Sequence, residues 1–402
     1  MPKLCKYLLK FSLLITIVTL SGCYPALIRQ AQSPEKALRK VYFFYPRFQD
    51  DMDLSSLARA IRNNIEYLKR LDPEYIFHYG PHKYTRRHVL DSQKALLDII
   101  SNNPDPAKLN REIRKHFLVY KATGRIGNRK VFFTGYFEPL YEGSLAPDQT
   151  FRYPLYKKPD DLIKINLSLF KKEFKGKSIV ARIEGKKVLP YYSRKQIEID
   201  KVLEGRGLEI AWLNDPVDAD YLQIQGSGRL KLPDGRTIRI GYAAKNGLPY
   251  RAIGRYLWEK GLLKREQISM QAIRKYLSEH PKLIDEVLNY DPSYVFFRIL
   301  GKDPIVGSIN VPITPGRSLA LDSRLFPRGA LAFISTWKPV VNEAGEIIEW
   351  KKFSRFVLNQ DTGGAIKGAG RADLFWGSGS YAELGAGHMK HEGELYILIK
   401  KP

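Results

Sequence analysis

The stretch "DTGGAIKGAGRADLFWGSG", Asp361–Gly379, places two aspartates among six glycines. Glycines permit positive φ and let a ligand or another strand approach the backbone closely. The segment is not a dinucleotide fingerprint, because no G-x-G-x-x-G leads into an amphipathic helix, and Lys367 lacks the context of a phosphate-binding loop. Phe375 and Trp376 beside Asp373 suit an open groove for sugar rings, which stack on aromatics and hydrogen-bond to carboxylates. These residues alone leave a carbohydrate site and a structural, glycine-rich barrel corner equally open.

The first residues of the chain have the pattern of a bacterial export signal. Three lysines precede an apolar stretch, Phe11–Leu20, that is too short to span a bilayer. It runs into "LSGC", which resembles a lipobox, so we expect residues 1–22 to be a signal peptide and Cys23 to be lipidated as the mature N-terminus. An ordinary signal peptide cut nearby, or an uncleaved anchor, is the alternative. Because Tyr24 rather than an aspartate follows the cysteine, we expect a protein anchored in outer-membrane lipid at the periplasmic face.

Cysteine content and charge exclude several kinds of site. Cys5 and Cys23 are the only cysteines, and Cys5 would leave with the signal, so disulfides, zinc–thiolate sites and cysteine nucleophiles are excluded from the mature chain. The 402 residues carry a formal net charge of +24, and a basic surface attracts polyanions. Since no nucleic-acid-binding module is recognisable, we expect acidic cell-wall peptides and anionic lipid as partners, and no nucleic acid.

Apolar periodicity divides the chain into helical and β-rich parts. Helical stripes begin at Asp53, a plausible N-cap, and continue to about residue 118; they are typical of packing surfaces. Short β-rich runs follow, and Asp234-Gly235 is placed as the turn of a hairpin. Two helical stretches, Tyr250–Leu262 and Arg265–Leu288, precede a last β-rich part. This order predicts a mainly β protein of two β domains with accessory helices.

A third aspartate, Asp322, lies in a motif that, with the two others, resembles the three-aspartate domain of the membrane-bound lytic murein transglycosylase A family. Six or more family-like motifs in one order, behind a lipobox, make the resemblance specific. They are "FFTGYFEP" (132–139), "YPLYKKP" (153–159), "YLQIQGSGRL" (221–230), "IRIGYAAKNGLPYRAIGRYL" (238–257), "PSYVFFR" (292–298), "SLALDSRLFPRGA" (318–330), "DTGGAIKG" (361–368) and "RADLFWG" (371–377).

The resemblance implies a fold and a domain order. Residues 46–137 and 288–402 would together form a double-psi β-barrel domain with N-terminal helices, after a linker at 24–45. Residues 138–287 would form a second, inserted β-barrel domain, and the substrate groove would lie where the two meet. We expect a monomer that can join cell-wall enzyme complexes.

The resemblance further implies a reaction. The family cleaves the β-1,4 bond between N-acetylmuramic acid and N-acetylglucosamine in peptidoglycan glycan strands without water, which leaves 1,6-anhydromuropeptide ends. Its catalytic aspartate corresponds to Asp373 here. Asp373 follows Asp361 by twelve positions, one more than is usual in the family, so the loop before the site would carry a one-residue insertion.

A single acid suffices for such a reaction, because the C6 hydroxyl of the sugar replaces water as the nucleophile. Asp373 would first protonate the leaving oxygen and then, as a carboxylate, accept the C6 hydroxyl proton. Its pKa must therefore lie well above ~3.9. We expect partial burial and the supporting carboxylates Asp361 and Asp322 to raise it. The alternative for these two, which the chemistry favours, is that they only tie strands together by accepting backbone N–H bonds.

Two other segments have the polar, small and aromatic composition of a glycan groove. In them, amide and hydroxyl groups would bind N-acetyl and hydroxyl groups, and an aromatic ring would stack. We expect no metal and no cofactor, because His388 and His391 lack a third ligand or an H-E-x-x-H pattern. The candidate substrate-binding residues are Thr134, Gly135, Tyr136, Gln223, Gln225, Gly226, Ser227, Gly228 and Trp376.

Two alternatives to a lytic transglycosylase stay open. One is a two-carboxylate glycoside hydrolase on a similar barrel, in which Asp322 or Asp361 would steer a water molecule. The other is a non-catalytic murein-binding lipoprotein, since a fold alone does not establish activity.

Overall fold

The computed structural model describes residues 31–301 and 304–402. The predicted signal peptide at 1–22 and the lipidation site Cys23 lie outside these ranges. None of the helices in the described ranges combines the length and the apolar composition needed to cross a bilayer. The helices are α1 Pro34–Ala37, α2 Leu54–Lys69, α3 Arg86–Ser101, α4 Pro106–His116, α5 Arg194–Glu198, α6 Pro216–Gln225, α7 Ile253–Glu259, α8 Met270–Glu279, α9 Ile284–Leu288 and α10 Ser380–His388.

The strands outnumber the helices and form four sheets in the described residues. They are β1 Leu38–Lys40, β2 Ile76–Tyr79, β3 His82–Thr85, β4 Phe117–Ala122, β5 Val131–Glu138, β6 Leu140–Ser144, β7 Tyr153–Tyr156, β8 Ile163–Asn166, β9 Ser178–Glu184, β10 Lys187–Pro190, β11 Glu209–Leu213, β12 Ser227–Lys231, β13 Thr237–Lys245, β14 Val295–Ile299, β15 Ser318–Ala320, β16 Leu331–Val341, β17 Ile347–Asp361, β18 Arg371–Ser378 and β19 His391–Lys400.

The largest sheet closes into a barrel. Its order is β1-β4-β19-β16-β17-β15-β18-β5, and a further pairing of β19 with β5 joins six of these strands into a ring. Strands β15 and β17 run parallel, as do β18 and β5, while the remaining pairs are antiparallel. The mainly β fold with a double-psi barrel that the resemblance implies is confirmed.

The barrel strands have two buried faces, which explains apolar runs such as "LAFI" in β16. Alternate residues, including Ala332 and Ile334, point to one core together with Val357. Their neighbours, including Leu331 and Phe333, join a second core that α2 and α3 cover from outside. Because side chains alternate along a strand, a strand covered on both faces is apolar throughout.

The N-terminal helices begin where the sequence predicts. The Asp53 side chain accepts a hydrogen bond from the backbone N–H of Ser56 at 2.7 Å and caps α2. Arg317, fully buried before β15, fixes this helix start to the barrel through a bidentate ion pair with Asp50 at 2.6 and 2.9 Å. Its other N–H groups donate to Ser56 Oγ and to backbone carbonyls of residues 53 and 356.

The later helices are shorter than predicted. The expected helix Arg265–Leu288 is divided into α8 and α9, because Pro281 opens a 3-10 turn between them. The expected helix Tyr250–Leu262 is reduced to α7. Apolar residues at helical spacing are present on both sides of Pro281 and beyond the ends of α7, so periodicity alone did not reveal these boundaries.

The second sheet has the order β14-β13-β12-β6-β11-β7, and an isolated bridge between Lys157 and Phe297 brings its edges together. The hairpin predicted at Asp234-Gly235 connects β12 and β13. The chain enters this sheet directly after β5 and leaves it after β14. The strand β14, Val295–Ile299, thus pairs with the second sheet although the sequence placed residues from 288 in the first domain. The division into domains stays a prediction.

Candidate active site

Asp373 lies on the central barrel strand β18 and is half-buried. Parallel pairing of β18 with β5 sets it opposite Thr134, and the Thr134 hydroxyl donates a hydrogen bond of 2.6 Å to Asp373 Oδ1. On its other side, β18 pairs with β15 at Ala320. Two predicted site residues, distant in the sequence, are therefore neighbours because the barrel is closed.

The environment of Asp373 favours its protonated form. Burial raises the pKa of this carboxyl to about 6, and the negative charge of Asp361 acts in the same direction. The hydrogen bond from Thr134 and the charge of Arg371 oppose the rise by stabilising the carboxylate. A carboxyl with a pKa near 6 can both release and accept a proton close to neutral pH.

Asp361 ends β17 and is held by three donors. Tyr136 donates its hydroxyl to Asp361 Oδ2 at 3.0 Å, and the backbone N–H groups of Ser308 and Thr362 donate to Oδ1 at 3.0 and 2.8 Å. Burial nevertheless raises the pKa of Asp361. The Tyr136 ring lies against that of Phe375, 5.1 Å between centroids. Through its hydroxyl, Tyr136 orients the Asp361 carboxyl group.

Asp322 occupies a different environment from the one expected. It is buried, pairs with Arg324 at 2.7 Å, and accepts the backbone N–H of Gly368 at 2.8 Å. Burial alone would raise the pKa of Asp322, but the bonds from Arg324 and Gly368 hold it below its usual value. These contacts fit the alternative role for Asp322, a carboxylate that ties the glycine-rich loop to the barrel. The neighbouring carboxylate that raises the pKa of Asp373 is Asp361 and not Asp322.

Gly135 and Trp376 lie in the barrel wall. A Cβ at Gly135 would stand 2.5 Å from the Trp376 indole and 2.8 Å from the Ala386 Cα, so glycine allows close packing there. Trp376 is buried in the barrel core rather than on an open face, in contrast to its predicted role of substrate binding. Gly135 and Gly385 both lie against the indole, and a Cβ at Gly385 would stand 2.8 Å from it.

The second predicted segment serves partly as a structural link. The side-chain oxygen Oε1 of Gln225 accepts a hydrogen bond from the backbone N–H of Phe137 at 3.0 Å, which joins α6 to the end of β5. Gln223 is buried, accepting from Arg194 at 3.1 Å and from the Val295 N–H at 3.2 Å. The structure therefore gives these amides protein partners. The remaining residues are Gly226, a left-handed C-cap with open space around it, and Ser227 and Gly228, both buried in β12.

Two residues that the sequence analysis did not name as candidates contact parts of the site: Arg371 contacts Thr134, and Tyr250 lies against the glycine-rich loop. Arg371 Nη2 donates to Thr134 Oγ1 at 3.3 Å, and burial lowers the pKa of this guanidinium. Tyr250 comes from the loop after β13, and its Cβ lies 3.5 Å from the position that a Cβ on Gly364 would take. Burial raises the pKa of Tyr250. Strand alternation could have indicated Arg371, two positions before Asp373, but no local signal marks Tyr250.

The two histidines of the H-x-x-H pair make other contacts. His388 Nδ1 lies 3.1 Å from the Leu384 carbonyl, and the His391 ring lies 4.1 Å from that of Trp350. Among residues 31–301 and 304–402, no three His, Cys, Asp or Glu side chains are grouped so that they could hold a metal ion.

Comparison with known proteins identifies two family domains and several relatives. Residues 132–298 match the MltA specific insert domain, and residues 317–399 match the 3D domain. The membrane-bound lytic murein transglycosylases A of Vibrio cholerae and Escherichia coli K12 are 33% and 30% identical over 67% and 68% of the chain. These matches cover 65% and 66% of the relatives' own length, slightly less than two thirds.

Solved structures match over nearly the whole described chain. The membrane-bound lytic murein transglycosylase from Agrobacterium tumefaciens has a TM-score of 0.74 and 31% identity, covering 90% of this chain and 98% of that one. MltA from Neisseria gonorrhoeae has a TM-score of 0.67 and 30% identity, with coverages of 92% and 97%. Escherichia coli MltA with bound chitohexaose has a TM-score of 0.69 over 93% of this chain and 98% of that one, but at 23% identity it supports only the fold.

Proposed function

The chain belongs to the membrane-bound lytic murein transglycosylase A family, and we propose that it is a peptidoglycan lytic transglycosylase. It cleaves the β-1,4 bond between N-acetylmuramic acid and N-acetylglucosamine without water and releases 1,6-anhydromuropeptides. The observation that carries this proposal is the half-buried Asp373, whose pKa is raised to about 6 beside Thr134. The names of the Vibrio cholerae and Escherichia coli K12 relatives, lytic murein transglycosylases 33% and 30% identical to this chain, support peptidoglycan as the substrate.

The proposed reaction uses Asp373 twice. The protonated carboxyl first gives its proton to the glycosidic oxygen as the bond from that oxygen to C1 breaks. The carboxylate so formed then accepts the proton of the C6 hydroxyl while that oxygen bonds to C1. Proton and bond counts balance, no water is consumed, and Asp373 returns to its starting state.

The hydrogen bonds around Thr134 support a choice between the two carboxyl oxygens. A guanidinium can only donate, so Thr134 Oγ1 accepts from Arg371 and turns its own proton toward Asp373 Oδ1. Oδ1 must therefore accept, and the acid proton resides on Oδ2. We assign Oδ2 as the oxygen that protonates the leaving group, Thr134 and Arg371 as its positioning residues, and Asp361 as the charge that keeps the proton bound.

We expect Thr134→Val to move the pH dependence of kcat/KM. For the native enzyme we expect the rate to fall as the pH rises through about 6, because Asp373 loses its proton there. Loss of a hydrogen bond that stabilises the carboxylate raises the pKa by roughly one unit, so the decline moves to higher pH, while misorientation lowers the maximum about tenfold. Initial rates of muropeptide release between pH 4 and 9 measure both effects.

Thr134→Ser is the matched control for that experiment. Serine retains the hydroxyl, so the position of the decline should stay near pH 6. An unchanged profile in Thr134→Val would contradict the assigned role of the Thr134 hydroxyl, whereas a lower rate alone would indicate only a structural role.

The reaction type is tested by mass spectrometry of the products from purified sacculi. Non-hydrolytic cleavage predicts 1,6-anhydro ends, lighter by one water than the reducing ends of a hydrolase. Reducing ends would instead support the two-carboxylate alternative, with Asp361 as the group that steers water. Intact sacculi that retain tightly bound protein would support a murein-binding lipoprotein without activity.

We further propose that lipid on Cys23 anchors the enzyme at the periplasmic face of the outer membrane. The word "membrane-bound" in the names of the relatives supports association with a membrane, and the lipobox-like "LSGC" supports lipidation of Cys23. Metabolic labelling with a radioactive fatty acid should mark the native chain and not a Cys23→Ser variant. Label retained in the variant would refute the anchor site.

A further inference from the structure

A small sheet outside the candidate active site carries an unusual concentration of positive charge. Strands β8, β9 and β10 and the loop 167–177 between the first two form this region, residues 163–190, called here the basic sheet. Two acidic residues, Glu173 and Glu184, accompany eight basic ones. The basic residues are Lys164, Lys171, Lys172, Lys175, Lys177, Arg182, Lys186 and Lys187.

The basic sheet also exposes large apolar side chains. At its loop, Leu169 and Phe170 are 82% and 69% exposed and directly precede Lys171 and Lys172. Along the strands, Ile183 of β9 pairs with Val188 of β10, and both are exposed. Ile179, also exposed, shares a face with Ile183 because strand side chains alternate. Exposed apolar groups concentrated in this way mark an interaction surface.

We propose that the basic sheet docks on the surface of an anionic phospholipid bilayer. Leu169 and Phe170 enter the boundary between headgroups and acyl chains, and the surrounding lysines pair with lipid phosphates. Apolar side chains beside clustered lysines form the combination that binds membrane interfaces. The surface fits a protein partner less well, because lysine is depleted at protein–protein interfaces. A glycan strand offers no apolar phase in which these side chains could be buried.

The loop end of the sheet adds a place for a headgroup. A shallow depression of about 340 Å³ lies there, and its lining offers ammonium, hydroxyl and amide groups to a phosphate. The lining residues are Lys164, Asn166, Ser168, Gly176, Lys177 and Ser178. This inference rests on charge and exposure in the basic sheet and does not depend on the proposed reaction.

Vesicle co-sedimentation tests the inference. The full chain carries Cys23→Ser throughout, so that lipidation at that position contributes nothing. Its binding is measured to phosphatidylethanolamine–phosphatidylglycerol vesicles and to phosphatidylcholine vesicles. We expect a preference for the anionic vesicles that weakens with added salt. Replacing Lys171, Lys172, Lys175 and Lys177 by glutamine should weaken anionic binding at least about 100-fold, since each lysine near such a surface contributes roughly fivefold.

Two further variants separate the contribution of apolar insertion from that of the positive charge. Leu169→Ser with Phe170→Ser should weaken vesicle binding at least about tenfold through loss of apolar insertion. The matched control changes four exposed lysines of the α7–α9 region to glutamine, which removes the same charge elsewhere, and should alter binding less than about twofold. The control lysines are Lys260, Lys264, Lys275 and Lys282.

Three outcomes would overturn the inference. The first is equal vesicle binding by the loop variant and the control variant. The second is a loop variant that loses binding to purified sacculi but keeps its binding to vesicles, which would identify the wall as the partner. The third is a dimer in sedimentation velocity that Leu169→Ser with Phe170→Ser abolishes without changing vesicle binding, which would identify a second copy as the partner.

Discussion

Replacing Asp373 by asparagine is expected to lower the rate of muropeptide release from sacculi by a factor of at least about 10³. The amide has the shape of the carboxyl group but has no acidic proton for the leaving oxygen and cannot accept one from the C6 hydroxyl. Because one side chain is proposed for both proton transfers, no second residue compensates. The loss should appear in kcat at saturating substrate, measured by chromatography of the soluble products.

The stability of the same variant is its control. The folded pKa of Asp373, about 6, lies above the unfolded value of roughly 3.9. Its stabilising contribution is therefore complete below pH 4 and is lost as the pH rises through 6, where ionisation of the half-buried group destabilises the fold. Asp373→Asn avoids this ionisation. It should match the native protein near pH 4 and exceed it by roughly 1–2 kcal/mol at pH 8, a figure reduced for partial exposure.

Thermal melting at pH 4 and pH 8 measures that difference. An inactive variant with a higher melting temperature at pH 8 would confirm that chemistry, not folding, was lost. An active Asp373→Asn enzyme, or a variant that melts well below the native protein at both pH values, would contradict the proposed role of the carboxyl group.

Arg317→Met is expected to lower the free energy of unfolding by about 3–5 kcal/mol. The guanidinium is fully buried, and its ion pair with Asp50 is also out of water, at 0% and 3% side-chain exposure. Methionine has similar length but leaves Asp50 as an uncompensated buried charge and removes donors from two carbonyl groups. The midpoint of urea unfolding, followed by circular dichroism, measures the effect.

Arg328→Met is the matched control for that substitution. Arg328, eleven residues further along the chain, is exposed, so its replacement should change stability by less than about 0.5 kcal/mol. Adding Asp50→Asn to Arg317→Met should restore part of the loss, because it removes the stranded charge. Equal effects of Arg317→Met and Arg328→Met would show that the buried pair contributes little.

Local patterns predicted the N-terminal helices and the hairpin at Asp234-Gly235 because caps, apolar stripes and turn residues act over a few positions. The helices after residue 250 were predicted too long, since Pro281 interrupts a stripe that continues on both sides. Trp376 was expected on an open groove, but glycines opposite its ring allow it to pack into the core. Such packing depends on segments distant in sequence.

The candidate site was predictable in its residues but not in its geometry. The family resemblance indicated Asp373 and Asp361, the composition of its segment indicated Thr134, and no sequence pattern could show which of them would meet. Their contacts follow from the parallel register of β18 with β5, which local propensity does not encode. Asp322 has the same residue type as Asp373, yet its arginine partner and a backbone donor give its pKa the opposite shift. Residue type and spacing in the sequence therefore do not determine the pKa of an aspartate.

Closure of the barrel determines when Asp373 can act as a general acid. Thr134 and Asp373 are 239 positions apart, so the contact between them exists only once a long loop has been closed. Before that moment residue 373 is an ordinary solvated aspartate, ionised at neutral pH and without a proton to give. We therefore expect a nascent or partly unfolded chain to lack catalytic activity, because burial has not yet raised the pKa of Asp373.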